Sequence, residues 1–404
     1  MDCRVRECTL NTRKGDLPMI SISRRRLMQM VPAVLAAGTT QPLLEAQQPP
    51  TAAMPLGLTH AGGEDRGVWI HPERYLTTRD GREGRAQVRT MVSRYVDAGF
   101  NLLLPWTVSG YLVAVEDPRL QQAHPSASWD ALGVLLEEAQ TQKINVDIWY
   151  SYTEYRGPKS PEFDPAFGGD PEWRAIHSEK FKSGKDEADG AWNLCPSHAP
   201  ARRWQLDLLG RALKRYSSAR GVQIEEPGYD TGEYCLCALC RNLFQQLHGL
   251  PLEQHLQSQQ AQDLKTIGNS AFVWELREFL RNQHPQMLYT INGGADWRRD
   301  RRRGRDWGRW ALSGWMDAFI PQVYEENVEA FRRNLQRTID DLGRACPVQA
   351  GIALAWSEGK NDIGMVIRQM DAARELGAKG ILLFHGVAFS DADLTQLRKG
   401  PFRI

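Results

Sequence analysis

Two adjacent carboxylates, Glu225 and Glu226, close a short apolar run in the middle of the chain. Such a run predicts a buried strand, whose side chains alternate between two faces. With Val222 and Ile224 facing the helices, the other phase, Gln223 and Glu225, turns into a barrel. Cleavage of a glycosidic bond needs two carboxyl groups, one to protonate the leaving oxygen and one to act as nucleophile or activate water. Glu225 is therefore the first candidate acid, and Glu226, at the rim, is the second.

The partner acid of Glu225 should come from another strand, because adjacent residues of a strand point to opposite sides. Glu325 follows the sixth apolar run, and Glu358 follows Trp356 beyond the seventh. Either residue can supply the second carboxyl group. The alternative for each acid taken alone is a structural role, in which it binds an arginine or caps a helix.

Aromatic and polar side chains recur where the predicted strands end. The chain of 404 residues holds thirteen tryptophans, and flat aromatic rings can stack against the apolar faces of sugars. Packing in the core is the alternative for each aromatic residue taken singly. The residues that we predict to contact a substrate are Trp69, His71, Asp147, Trp149, Tyr229, Asn292, Gln322, Tyr324, Trp356 and His385.

Two histidines, His71 and His385, end the first and last predicted strands, which are neighbours where a barrel closes. They can hydrogen-bond the hydroxyl groups of a substrate, as Asn292 and Gln322 can. Together with Asp147 they can also bind a metal ion, although two single histidines are weak evidence for one.

Four cysteines can gather beside the two carboxylates. Cys235, Cys237 and Cys240 form a C-x-C-x-x-C pattern after the fourth predicted strand, and Cys195 comes from the preceding loop. Four thiolates suit structural zinc, whose usual spacing is two close pairs. Disulfides are the alternative in an exported protein, and free thiols are a further one. With either zinc or disulfides the loop after the fourth strand is held rigid, which suits a site that must place a carboxylate.

Seven arginines lie in the segment 297–309, after the fifth predicted strand. This segment is either a solvated charged loop or an anion-binding rim for uronic, sulfated or peptide-linked glycans. Nucleic acid is not an expected partner, because the formal net charge is only +1. The sequence contains no phosphate-binding loop, Gly-rich dinucleotide turn or Gly-x-Ser-x-Gly elbow. We therefore expect that catalysis requires no cofactor.

Eight apolar runs alternate with amphipathic stretches from Arg66 onward, which is the pattern of repeated βα units. Eight such units predict an α/β fold, a single (β/α)8 TIM barrel. Long loops follow the carboxyl ends of the strands, where barrel enzymes build their sites. We predict strands over 67–71, 100–105, 144–150, 221–226, 287–292, 316–324, 348–354 and 380–385.

The first 55 residues have the pattern of an export signal and a disordered linker. Ser-Arg-Arg-Arg-Leu-Met at 23–28 precedes the apolar run 30–37, and a Pro/Gln/Ala-rich tract follows. This order resembles a cleavable twin-arginine signal, with a disordered basic tail as the alternative. The apolar run is much shorter than the roughly 20 residues that span a bilayer. We predict a barrel domain over 56–404, periplasmic or extracellular, with no membrane span after signal cleavage.

Four segments resemble, in the right order, the glycosyl-hydrolase-like barrels and especially their family-ten-like group. They are Arg66-Gly-Val-Trp, Cys195-Pro-Ser-His198, Gly221-Val-Gln-Ile-Glu-Glu and Asp317-Ala-Phe-Ile-Pro-Gln-Val-Tyr324. The resemblance implies an exported TIM barrel that acts on carbohydrate, with the acids after the fourth strand in its site. The chain departs from the family in having two glutamates where aspartates are usual.

Three hypotheses follow from these residues. The leading one is a glycoside hydrolase that uses Glu225 together with Glu325 or Glu358. The second is a barrel that binds carbohydrate without cleaving it. The third is a metal-dependent hydrolase built on the two histidines and Asp147.

Overall fold

The computed structural model describes residues 63–107, 117–121, 128–151, 154–155, 166–167, 170–184, 192–356 and 359–403. The predicted export signal and linker, residues 1–55, and the candidate acid Glu358 lie outside these ranges. Within them, no helix has both the length and the apolar character that crossing a membrane requires.

Eight parallel strands close into a barrel, as the alternation of apolar and amphipathic runs predicts. Each strand pairs with the next along the chain, and the last pairs with the first. The ends of the strands differ from the predicted ones by at most two residues. The strands are β1 Asp65–Ile70, β2 Leu102–Pro105, β3 Asn145–Tyr150, β4 Gly221–Ile224, β5 Leu288–Gly294, β6 Ala318–Gln322, β7 Ala350–Ala353 and β8 Gly380–Phe384.

Helices and short strand pairs fill the connections. Two antiparallel pairs, Leu120–Gln121 with Ala166–Phe167 and Glu154–Tyr155 with Trp192–Asn193, lie in the loops after β2 and β3. The α-helices are α1 Gly81–Asp97, α2 Ala131–Thr141, α3 Ser178–Ser183, α4 Ala199–Arg215, α5 Ala238–His248, α6 Leu252–His255, α7 Gln259–Gln283, α8 Trp297–Asp300, α9 Trp307–Leu312, α10 Val328–Leu342, α11 Ile363–Glu375 and α12 Asp391–Lys399. Single 3-10 turns cover Pro72–Arg74, Pro171–Trp173, Arg301–Arg303 and Gly386–Ala388.

Local sequence explains where several helices begin and end. The Asp80 side chain accepts a hydrogen bond from the Glu83 N–H and caps α1, and Ser390 and Asp393 form a reciprocal capping box at α12. Gly99 follows α1 with φ of 93°, a conformation that costs glycine little. A Cβ atom there would lie 2.7 Å from the Phe402 carbonyl oxygen, so only glycine fits.

The alternation of side chains along the strands builds two apolar layers. Outward residues such as Val222 and Ile224 are fully buried against the helices and belong to the largest core cluster. Inward residues, including Trp69, Leu104 and Trp149, form a smaller cluster inside the barrel. Burial of each such side chain contributes roughly 1.5–3 kcal/mol, so both layers hold the strand ends in place.

The N-terminal end of the barrel holds a buried ionic group, which we call the floor cluster: Asp65, Asp147, Arg220 and Gln349. The Arg220 guanidinium donates to Asp147 at 2.5 and 2.9 Å and to Asp65 at 2.9 and 3.0 Å. Gln349 Nε2 donates to Asp65 Oδ2 at 2.8 Å. Burial raises the pKa of Asp65, and the charge of Arg220 opposes that rise. The structure therefore places Asp147, a predicted substrate or metal residue, on the stability face of the barrel, where its carboxylate accepts hydrogen bonds from Arg220.

Candidate active site

Glu225 follows the last residue of β4 at the mouth, the end of the barrel formed by the carboxyl ends of its strands. Its N–H donates to the Tyr150 carbonyl at 2.9 Å and so continues the ladder between β3 and β4. Two residues earlier, Gln223 is fully buried and its Oε1 accepts from Trp69 Nε1 at 2.8 Å. Gln223 and Glu225 both point inward, as the alternation predicts.

Three neutral donors hold the carboxylate of Glu225. Trp149 Nε1 donates to Oε2 at 2.5 Å, and Asn292 Nδ2 donates to the same oxygen at 2.6 Å. Gln322 Nε2 lies 3.4 Å from Oε1, a weaker contact. Side chains from β3, β5 and β6 thus fix the position of this acid, and within the described ranges it makes no direct ion pair.

Burial and a neighbouring charge set the acidity of Glu225. Burial raises the pKa of its carboxyl group to about 7, and the charge of Glu226 acts in the same direction. The hydrogen bonds from Asn292 and Trp149 favour the ionised form, as does the charge of Arg305, but burial outweighs them. Near neutral pH the group can therefore both hold and release a proton.

Glu226 departs from the strand geometry. β4 ends at Ile224, and Glu226 has φ of 36°, a left-handed conformation that costs a non-glycine residue about 1–3 kcal/mol. The Glu226 Oε1 lies 2.9 Å from Arg305 Nη1, whose side chain is only 2% exposed. The argument that adjacent acids must face opposite sides therefore fails here, because the strand has already ended.

Asn292 links the two acids. Its Nδ2 donates to Glu225, while its Oδ1 accepts the Glu226 N–H at 2.7 Å. These partners fix the orientation of the amide, since reversal would place an oxygen against the carboxylate. Asn292 is 1% exposed, and both polar atoms of its amide contact the two glutamates. In this structure it therefore positions both glutamates.

Partly exposed aromatic rings surround the mouth above Glu225. Tyr324 stacks on Phe384, with ring centroids 5.4 Å apart, and Trp356 lies 6.1 Å from the Tyr324 ring. His71 and His385 are neighbours at 5.6 Å, as expected where the barrel closes. The Tyr324 hydroxyl is buried, and among the described residues it has no hydrogen-bond partner. Burial, followed by the charges of the two glutamates, raises the pKa of Tyr324, so this hydroxyl remains a donor.

Three aromatic residues predicted to contact a sugar are buried in the protein. Trp69 is fully buried inside the barrel, and Trp149 is 2% exposed beneath Glu225. Tyr229 is 1% exposed, stacks on Tyr234 and places its hydroxyl 3.5 Å from Cys195 Sγ. The structure thus buries the three rings among protein side chains, without an open face for stacking.

The predicted partner acid Glu325 points away from Glu225. Its Oε1 accepts from Asn334 Nδ2 at 2.6 Å, and Asn334 belongs to α10 on the outside of the barrel. Glu325 therefore does not share the mouth with Glu225. The other predicted partner, Glu358, lies outside the described residues.

Four of the seven arginines of the 297–309 segment pair with nearby acids rather than forming one cationic rim. The pairs are Arg298 with Asp341, Arg301 with Asp263, Arg305 with Glu226, and Arg309 with Asp306. Sequence reasoning missed the contact between Arg305 and Glu226, because nothing in the run distinguishes one arginine from the next.

The four predicted cysteines do converge. Their sulfur atoms all lie within 4.8 Å of one another, and in the described ranges no other group of three or more potential metal ligands does so. All four are free thiols in this structure, so no two of them are bonded as the disulfide alternative would require. The histidines and Asp147 of the metal hypothesis do not form such a group.

A closed barrel with a carboxyl group of raised pKa at its mouth is compatible with glycoside hydrolysis, one of many chemistries that this fold supports. The chain belongs to the glycosyl hydrolase-like 10 family, whose model matches residues 65–354. A search of the curated proteins found no significant match.

Solved structures show the same fold at low sequence identity. The PgaB (BpsB) glycoside hydrolase domain from Bordetella bronchiseptica is 15% identical with a TM-score of 0.59, over 83% of this chain and 96% of that domain. Alpha-L-fucosidase isoenzyme 2 from Paenibacillus thiaminolyticus is 15% identical, with a TM-score of 0.55 over 83% of this chain and 48% of its own. Beta-galactosidase from Bacillus circulans sp. alkalophilus is 14% identical, with a TM-score of 0.55 over 80% and 50%.

Proposed function

We propose that the protein is a glycoside hydrolase in which Glu225 is the general acid. One observation carries the proposal: a carboxyl group at the mouth is held by neutral donors, and burial raises its pKa to about 7. A general acid must hold its proton at working pH and release it to the leaving oxygen as the glycosidic bond breaks. Ordinary glutamate is ionised at neutral pH and cannot do so efficiently.

Glu226 is the second carboxyl group in this proposal. It forms an ion pair with Arg305, and its charge helps to raise the Glu225 pKa. An anion next to the reacting sugar would stabilise the positive charge that develops at the anomeric carbon. Whether it attacks that carbon or activates water depends on the carboxyl separation. Glu358 is the competing candidate, carried over from the sequence.

The substrate in this proposal is a poly- or oligosaccharide outside the cytoplasm. Trp356 and Tyr324 offer partly exposed rings at the mouth. The named structural neighbours include a fucosidase and a galactosidase, so they support carbohydrate in general and no single sugar. An anionic glycan remains an alternative, weakened by the internal pairing of the arginine segment.

A second candidate function is a carbohydrate-binding barrel without turnover. The contact of Glu226 with the buried Arg305 favours it, because a carboxylate held by a cation is a weaker nucleophile and base. This candidate keeps the aromatic mouth and assigns Glu225 to sugar binding.

Substitution of Glu225 by Gln separates the two functions. For the hydrolase we expect kcat/KM on a cleaved glycan to fall by about 10²- to 10⁴-fold, with a much smaller loss on an aryl glycoside whose leaving group needs no proton. The matched control is Glu325→Gln, the same change on the helix side, which should leave both rates unchanged. Glycan affinity without turnover in the unmodified protein would instead support the binding barrel.

A further inference from the structure

The four cysteines beside the mouth come from two loops and one helix start. Cys195 precedes α4, Cys235 lies in the loop after β4, Cys237 is the N-cap of α5, and Cys240 lies in its first turn. All four side chains are at most 5% exposed. Four thiols that meet in an enclosed space without forming a disulfide require an explanation beyond apolar packing.

The distances between sulfur atoms match one tetrahedral ion. A zinc–sulfur bond of about 2.3 Å places the sulfur atoms of a tetrahedron about 3.8 Å apart. Cys195 Sγ lies 3.5 Å from Cys240 Sγ and 3.8 Å from Cys237 Sγ. A disulfide would bring two sulfurs to about 2.05 Å, so the arrangement has the size of a metal site.

The surroundings can stabilise thiolates. The Cys240 N–H donates to Cys237 Sγ at 3.5 Å, at the positive end of α5. The Tyr229 hydroxyl lies 3.5 Å from Cys195 Sγ, and the Ser197 hydroxyl lies 3.7 Å from Cys240 Sγ. Buried Lys265 interacts electrostatically with Cys235 and Cys240. Donors around the ligands are the outer shell that metal–thiolate sites need.

We propose that Cys195, Cys235, Cys237 and Cys240 bind one zinc ion in a closed structural site. With four protein ligands and no exposed position, the ion does no chemistry on substrate. It ties the loop after β4 to the start of α4 and to α5.

The zinc site lies next to the candidate acids through one chain of contacts. The Tyr229 hydroxyl touches Cys195, and the Tyr229 carbonyl oxygen accepts from Arg305 Nη2 at 2.9 Å. Arg305 in turn pairs with Glu226. The metal therefore braces the loop that seats Arg305, independently of whether the mouth cleaves a sugar.

Metal analysis of the full chain tests the site without an activity assay. The protein is purified without chelators from cells grown with added zinc, and metals are counted by plasma mass spectrometry. We expect one zinc per chain. Replacement by Co²⁺ should give the intense visible absorption of a tetrahedral tetrathiolate site.

Substitutions locate the ion. Cys240→Ser should lose at least half of the bound zinc, whereas Cys346→Ser, which alters the described buried cysteine outside the cluster, should keep one. The double variant Cys3→Ser/Cys8→Ser should also keep one, which excludes the leader thiols. If Cys240→Ser does not fold, the zinc count and the cobalt spectrum of the unmodified chain still test whether a tetrathiolate site is present. Iron in place of zinc, a metal-free protein, or intramolecular disulfides in the intact mass would each overturn the proposal.

Discussion

Buried acids at the two ends of the barrel interior have different hydrogen-bond partners. In the floor cluster, Asp65 and Asp147 share Arg220 through four short hydrogen bonds. At the mouth, Arg305 pairs with Glu226, while Glu225 receives hydrogen bonds only from uncharged groups among the described residues. Both ends place acids beside an arginine, yet only the mouth leaves one acid without a direct cationic partner.

This difference separates acids that stabilise the fold from an acid that can do chemistry. A guanidinium bonded directly to a buried carboxylate favours its charged form, as the charge of Arg220 opposes the rise that burial causes in the pKa of Asp65. A carboxyl group held by neutral donors keeps its position but not its charge, so burial can raise its pKa toward neutrality. Burial raises the pKa of Asp65 and of Glu225 alike, and the directly bonded cation is what distinguishes the floor acid from the mouth acid.

Removal of the floor cation should have the largest effect on stability. Arg220→Met leaves two buried carboxylates without their partner, and we expect the free energy of unfolding at pH 7 to fall by about 3–5 kcal/mol. Urea unfolding followed by fluorescence measures this change. The loss should shrink at low pH, where protonation of Asp65, whose pKa burial raises, removes part of the uncompensated charge.

The matched control for the floor is Arg85→Met, which removes an arginine whose side chain is 44% exposed in its pair with Glu137, whose side chain is 64% exposed. Exposed pairs contribute about 0–1 kcal/mol. Equal, small losses for the two variants would show that the floor cluster does not hold the barrel together.

Removal of the mouth acid should raise the free energy of unfolding at alkaline pH, whereas removal of the floor cation should lower it. The pKa of Glu225 is raised from 4.5 to about 7, so between these values the unfolded chain loses the proton and the folded chain keeps it. The contribution of Glu225 to stability is therefore fully present below pH 4.5 and is lost as the pH rises through about 7. Glu225→Gln has no proton to lose, and we expect it to be more stable than the unmodified protein at pH 8 by up to about 3 kcal/mol.

Unfolding at pH 4.5 and at pH 8 isolates this effect. The gain should vanish at the lower pH, and Glu325→Gln should show none at either. A Glu225→Gln protein that is less stable at pH 8 would indicate an ionised, well-stabilised carboxylate in the unmodified protein.

The fold follows from the sequence because its signals are local. Eight apolar runs with helical stretches between them suffice for the barrel, and the period of two along β4 suffices to turn Glu225 inward. The rule of alternation fails one residue later, because the left-handed φ of Glu226 ends the strand. The residue types in Glu225-Glu226-Pro227 do not predict that angle.

The partners of the acids could not be predicted, because they come from distant parts of the chain. Asp147 meets Arg220 across 73 residues, and Glu225 meets Asn292 across 67. Residue type also does not predict how deeply a side chain is buried. Trp69 and Trp356 both lie near the ends of predicted strands, but Trp69 is fully buried and Trp356 is partly exposed. Only the packed barrel decides these contacts.

Direct titration of the Glu225 carboxyl group tests the central claim. Carbon-13 NMR of protein labelled at the glutamate side-chain carboxyl groups, compared with Glu225→Gln, assigns its resonance. We predict a signal that is absent from the variant and titrates with a midpoint near 7. If that signal instead titrates below about 5, like ordinary glutamate, Glu225 is ionised at neutral pH and cannot be the general acid.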